Sequence, residues 1–335
     1  MISIDNIYSN ELIKYFSKKV YDTNEILKEE NKKEKDKKYK DINSNIKNFL
    51  IDLSFEKNGK IALGTLMSKY ENNTKIIEDF FTKLETKFSS KDLDVRDVFL
   101  KSNDKTPCDY NTKNIKEKVV CIKKFILNKY NNMYKNLRNK HGKKLIEIGG
   151  LHICPYCSRN YIGVIESIDG SKSITPDLDH FYPKSRYPFL GITISNFVPS
   201  CLFCNQRAKS DEDFYKNSAY PPNKIFNDIE FDFDVYLNKI YIKNYANLIK
   251  IDGYKILLDT FLIQETYATH SEILKSIVNK TQKYKKSKID DISKYTVGLS
   301  STDIKKIVFY EYEFMNKKKE LLYKMKKDLY RAIVK

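Results

Sequence analysis

The chain has 335 residues, 41% of them hydrophobic, and a formal net charge of +17; that excludes a disordered chain and allows a real apolar core. No run of 18 uncharged apolar residues occurs, and the opening MISIDNIYSNELIKYF lacks the basic-then-apolar order of a signal peptide, so a cytoplasmic protein with no membrane span is expected. The charge suits a polyanionic partner, because Lys and Arg release counterions from phosphates, yet abundant Lys, Asn and Ile with no Trp reads equally as coding bias.

In chain order, residues 1–145 read as a mostly helical N-terminal region. Lys28 to Asp41 is a charge run with few apolar residues, the pattern of a solvated helix face or a connector. Ile76, Ile77, Phe80, Phe81 and Leu84 recur on one face of a helix. Val119, Val120, Ile122, Phe125, Ile126, Tyr130 and Met133 suggest a longer one, with Gly142, Gly149 and Gly150 marking its end. Cys108 and Cys121 stand alone.

Residues 146–215 change character, with Gly, Pro, Cys and His concentrated there. YIGVIESI, the Asp169-Gly170 turn and SITPDLDHF read as a β-hairpin. Ser195 to Ser200 reads as a short loop or strand, and a helix starts after Cys204. Residues 216–335 are mostly helical again, after a strand in which Ile229, Phe231, Phe233, Val235 and Leu237 alternate with polar residues and Ile240 and Ile242 pair back. The last helix opens with Ser300 and Asp303 in capping-box spacing. It is expected to continue through Ile304, Ile307, Val308, Phe314, Leu321, Leu322, Met325 and Leu329.

Cys154-Pro-Tyr-Cys157 and Cys201-Leu-Phe-Cys204 are the strongest isolated signal. Two residues between cysteines let both thiolates reach one ion, and two such knuckles complete a closed tetrahedral shell, the geometry of structural zinc. The competing reading is four buried or redox cysteines; a second alternative has His152 replacing one of them. A full cysteine shell leaves no open position for water, so the chemistry must lie elsewhere.

Between and just after the knuckles stand Asp179-His180, Asn196, Asn205 and Lys209. His180 suits a general base, since an unperturbed pKa of about 6.5 allows proton abstraction near neutral pH. A carboxylate such as Asp179 suits a hard cation. CPYC, LDHFYPKSRYPF and SNFVPSCLFCNQRAKS, in this order, resemble the HNH (ββα-metal) endonuclease family. The resemblance implies an α+β chain in which a small zinc-bound ββα-metal core is embedded among helices.

It further implies that Asp179 and Asn205 hold one divalent ion, that Asn196 helps orient His180, and that Lys209 stands where some members carry a metal-binding His. An ammonium cannot coordinate a cation, so Lys209 is expected to pair with substrate phosphate, alongside Lys184 and Arg186. Two oxygen ligands favour Mg2+ or Mn2+ over a second Zn2+. His141 and His270 are expected to be unrelated to the site. Many members have Gly-Gly after the Pro-x-Ser turn; here Arg186-Tyr187-Pro188 stands there.

The expected activity is hydrolysis of nucleic-acid phosphodiesters, DNA ahead of RNA. The large helical flanks are similar to those of HNH effectors of bacterial anti-phage defence that act beside an ATPase, as in Septu-type systems; a protein partner of that kind or a homo-oligomer is implied. The alternatives are a non-catalytic, zinc-stabilised nucleic-acid binder and an RNA-cleaving toxin subunit of a defence complex.

Overall fold

The computed structural model describes residues 15, 56–57, 60–61, 70–89, 92–102, 108–109, 112–171, 173–314 and 320–334. The Lys28–Asp41 charge run lies outside them. Helices dominate, and each sheet is a two-stranded antiparallel pair. The first joins β1 (Glu56–Lys57) to β2 (Lys60–Ile61).

Helix α1 (Tyr70–Lys87) buries Ile77, Phe80, Phe81 and Leu84, the face that the periodicity predicts. In α2 (Val95–Lys101) the Asp94 carboxylate caps the first turn by accepting from the Asp97 N–H at 2.8 Å. The other end of α2 is held from α3 (Ile115–Gly149): the buried Lys123 ammonium donates to the carbonyls of Leu100, at 3.1 Å, and Ser102. Helix α3 runs through Gly142 and stops at Gly150, whose φ of 62° is the left-handed value a C-terminal glycine supplies freely. Cys108 and Cys121 do not stand alone; they form a disulfide with Cα atoms 5.3 Å apart.

The central segment departs from the expected hairpin. Strands β3 (Ile165–Glu166) and β4 (Ser173–Ile174) do pair about the Asp169-Gly170 turn, but the ladder ends there. Thr175-Pro176 interrupts it, and proline has no N–H to donate. Strand β5 (Asp177–His180) instead pairs antiparallel with β6 (Phe197–Ser200), with Asp179 opposite Val198 and His180 opposite Phe197. A π-helical turn, Phe203–Lys209, follows β6 at once and closes with the Ser210 N–H on the Asn205 carbonyl at 2.9 Å. Two strands and a helical turn thus follow in ββα order.

The C-terminal region adds α4 (Pro222–Asp228), β7 (Phe231–Asp234) paired with β8 (Lys239–Ile242), then α5 (Tyr245–Leu248), α6 (Asp252–Phe261), α7 (Ile263–Ala268), α8 (Ser271–Lys283), α9 (Lys286–Tyr295), α10 (Ser301–Phe309) and α11 (Tyr323–Val334). The β7–β8 register sets Phe231 against Ile242 and Phe233 against Ile240, while Val235 and Leu237 fall in the exposed turn. The capping box at Ser300 and Asp303 is formed. The helix it opens does not run on to Leu329. A π-helical turn, Tyr310–Phe314, follows Phe309, Leu322 takes a left-handed φ of 58°, and α11 begins afresh. One apolar cluster unites buried residues of α1, α3, the central segment and α11.

Candidate functional site

The two knuckles converge. The ligand atoms of Cys154, Cys157, Cys201 and Cys204 lie within 4.8 Å of one another, and no other group of three or more His, Cys, Asp or Glu converges among the described residues. None of the four is in a disulfide. A tetrahedral shell with Zn–S of about 2.3 Å needs sulfurs roughly 3.8 Å apart, so the set fits a zinc ion after small adjustments. Local bonding favours charged sulfur: the Asn160 amide donates to Cys201 Sγ at 3.3 Å, and the Cys201 N–H donates to Cys154 Sγ at 3.4 Å. The tight first knuckle is closed by the Ser158 N–H on the Cys154 carbonyl, with Ser158 at a φ of 53°.

The C-terminal helices brace it. The Tyr267 hydroxyl donates to the Cys157 carbonyl at 2.8 Å, the Leu322 N–H to the Ser158 carbonyl at 2.9 Å, and Tyr156 stacks on Phe261. His152 is exposed and outside the cluster.

Tyr156, inside the first knuckle, reaches the Asp-His strand. Its hydroxyl donates to Asp179 Oδ2 at 2.5 Å, and burial pushes its pKa up, so it remains a donor. The other carboxylate oxygen, Oδ1, accepts from the Lys209 ammonium at 3.2 Å, and the same ammonium donates to the His180 carbonyl at 2.8 Å. Asp179 and Lys209 are both buried, at 5% and 2% exposure. Lys209 is therefore an internal ion-pair partner and does not offer its charge to a phosphate in solution. Burial pushes the Asp179 carboxyl above the usual range, against the pull of Lys209 and Tyr156.

Asn205 takes a different partner: its amide donates to Asp177 Oδ2 at 3.0 Å, as does the Gln206 amide. Asp177 and Asp179, two apart on β5, thus both face the π-helical turn. The ion expected between Asp179 and Asn205 does not fit this arrangement. Mg2+ and Mn2+ want oxygen-rich shells, close to six ligands for Mg2+ at about 2.0–2.1 Å, whereas Asp179 already faces the Lys209 ammonium at 3.2 Å, whose charge repels a second cation.

His180 faces the opposite side. Its ring lies 4.6 Å from the Tyr134 ring of α3 and 5.2 Å from Phe197, centroid to centroid. Its Nε2 lies 2.9 Å from the Gly191 carbonyl oxygen, which can only accept, so Nε2 carries the proton and Nδ1 is the basic nitrogen. Burial lowers its pKa to about 3.

Asn196 does not touch the imidazole. Its amide oxygen accepts from the Tyr182 N–H at 2.8 Å, and its NH2 donates to the carbonyls of Tyr182 and Leu190. It thereby closes the 181–196 loop that presents Gly191, and its influence on His180 is indirect. Tyr187 and Pro188 pack inward, the Tyr187 hydroxyl donating to Asp213, while the partly exposed Arg186 lies 3.9 Å from both Asp211 and Asp213. Arg186 has acidic neighbours, yet its side chain stays 36% exposed. Lys184, half-buried, lies 4.9 Å from the Tyr134 ring centre and is one of the charges that His180 feels.

His141 pairs with the Tyr15 hydroxyl and His270 with Arg159. Tyr156, Asp177 and Gly191 escape motif-based reasoning. Only Asp177 carried a signal, the D-L-D alternation that places it on the face of Asp179.

Two expected outcomes follow from this geometry. A Cβ on Gly191 would lie 2.9 Å from the Pro188 carbonyl oxygen and 3.3 Å from Tyr130 Cβ. Gly191→Ala should therefore cost about 1–3 kcal/mol by overpacking and move the His180 ring resonances; an unchanged urea midpoint with unchanged resonances would show that the close approach does not exist.

The second concerns pH. An imidazole at about 3 in the fold and about 6.5 unfolded binds its proton more readily in the unfolded chain. Its contribution is complete above the unfolded value and is lost as pH falls from about 6.5 toward 3, at up to about 1.4 kcal/mol per unit. Urea unfolding at neutral and mildly acidic pH, in excess zinc, should show a steeper loss for the wild type than for His180→Gln, and equal slopes would refute the buried neutral imidazole.

No family model, curated protein or solved structure matches the chain.

Proposed function

We propose that residues 146–215 form an HNH-type nuclease core that hydrolyses nucleic-acid phosphodiester bonds, DNA ahead of RNA. One arrangement carries the reading. A β5–β6 pair and the helical turn after it are clamped by four converging cysteines, and a neutral histidine at the end of β5 is aimed by a backbone carbonyl. Nδ1 of His180 takes the proton of the attacking water as its oxygen bonds to phosphorus; the bond from phosphorus to the leaving sugar oxygen breaks, and that oxygen takes up a proton from solvent. Lys184, the basic side chain near the ring, pairs with the phosphate. A phosphate beside the imidazole favours its charged form and raises the pKa that burial depresses. Zinc, when bound by the cysteines, supplies rigidity, and its closed shell leaves it no part in the hydrolysis.

A second reading, a zinc-stabilised nucleic-acid binder without catalysis, is favoured by specific observations: the Asp179 carboxylate is fully engaged, and His180 is only 7% exposed. Incubation of the zinc-loaded chain with plasmid, single-stranded DNA and total RNA separates the two. A nuclease cuts at least one, and loses that ability with His180→Gln. A binder shifts the nucleic acid in a gel and leaves it intact.

A further inference from the structure

A buried carboxylate is stable only with a matched cation, and at Asp179 the chain itself provides it. The Lys209 ammonium has three N–H donors and finds three electron-rich partners: Asp179 Oδ1 at 3.2 Å, the His180 carbonyl at 2.8 Å and the face of the Phe214 ring, 5.3 Å from its centre. Tyr156 completes the carboxylate on its other oxygen. Two oxygens and an aromatic face make a shell for an ammonium, and an ammonium held there repels a divalent cation.

The π-helical turn brings Lys209 into this position. Its wider turn ends at Ser210, whose φ of 47° turns the chain away immediately after the lysine.

We infer that Lys209 is the resident cation of the Asp-His strand: its ammonium occupies the side of Asp179 on which a divalent ion would be sought, ties β5 to the helical turn, and fixes the His180 backbone through its carbonyl. Lys209 is a positioning residue, since at 2% exposure it does not reach substrate. The inference uses the HNH-type reading only to say where an ion would be sought; the bonds themselves stand without it, and its test is read by ion binding instead of cleavage.

Zinc-loaded wild type and Asp179→Asn are titrated with Mn2+, free ion being followed by electron paramagnetic resonance, while the His180 ring protons of the wild type are followed by NMR. The expected result is equal Mn2+ uptake by the two proteins and no selective broadening of the His180 lines. Lys209→Met, which keeps the length and removes the charge, should gain one Mn2+ site that Lys209→Met/Asp179→Asn lacks, whereas Lys209→Arg should gain none. A wild-type site that Asp179→Asn abolishes, or Mn2+ broadening of His180 in the wild type, would overturn the inference, as would a folded, zinc-retaining Lys209→Met that gains no site. Should Lys209→Met fail to fold, the wild-type measurements decide alone.

Discussion

Stripping the ion from the cysteine cluster, or replacing Cys204 by serine, should unfold the segment from Leu151 to Ser210. Cys154, Cys157 and Cys204 sit in the apolar cluster, so their sulfurs are not a surface ornament. Without an ion, four thiols, three of them buried, converge with little to attract them to one another; with one, they close a loop of more than forty residues. A structural zinc contributes about 10–16 kcal/mol of apparent binding energy at neutral pH, comparable with the 5–15 kcal/mol by which whole domains are typically stable.

The damage should spread, because Tyr156 ties the first knuckle to Asp179 and Tyr267 ties it to the C-terminal helices. Elemental analysis should find one zinc per chain. Removing it should lower the melting temperature steeply and broaden the transition, and adding zinc back should restore both. An unchanged melt in a zinc-free protein would refute the clamp.

Replacing His180 should have the largest effect on chemistry. Under the proposed nuclease reading His180→Ala removes the general base, worth roughly 10²–10⁴-fold in rate, and it also leaves a hole between Tyr134 and Phe197, so part of its effect would be structural. His180→Gln separates the two. A glutamine amide can still donate to the Gly191 carbonyl and fills much of the same space, but it cannot accept a proton near neutral pH. Cleavage should fall by roughly 10²-fold or more in both variants, while nucleic-acid affinity and zinc content stay near wild type in His180→Gln. A His180→Gln protein that cuts at the wild-type rate would remove His180 from the mechanism.

The knuckles, the helical face of α1 and the β7–β8 pairing were legible in the sequence, because each rests on short-range spacing that leaves little choice. The order of strand, strand and helical turn could also be read, although Pro176 ends the first hairpin and hands β5 a different partner, β6. The site itself was only half legible. Spacing placed Asp179, His180, Asn205 and Lys209 in one neighbourhood, but alternation along β5 sends His180 toward α3 and Asp179 toward the helical turn.

Whether a lysine pairs with solvent phosphate or with a buried carboxylate depends on which surfaces close over it. Those surfaces come from Tyr156 and Phe214, neither of which announces itself in a motif. The Cys108–Cys121 pair was missed for a similar reason: thirteen residues apart, they are joined only because the chain folds back against the start of α3.

The most direct measurement is a cleavage assay of zinc-loaded wild type and His180→Gln side by side, on plasmid, single-stranded DNA and total RNA, with gel-shift binding run on the same samples. A nuclease core predicts that the wild type cuts at least one substrate and that His180→Gln binds it without cutting. Binding by both proteins with no strand broken by either would contradict a nuclease and leave a zinc-clamped nucleic-acid binder.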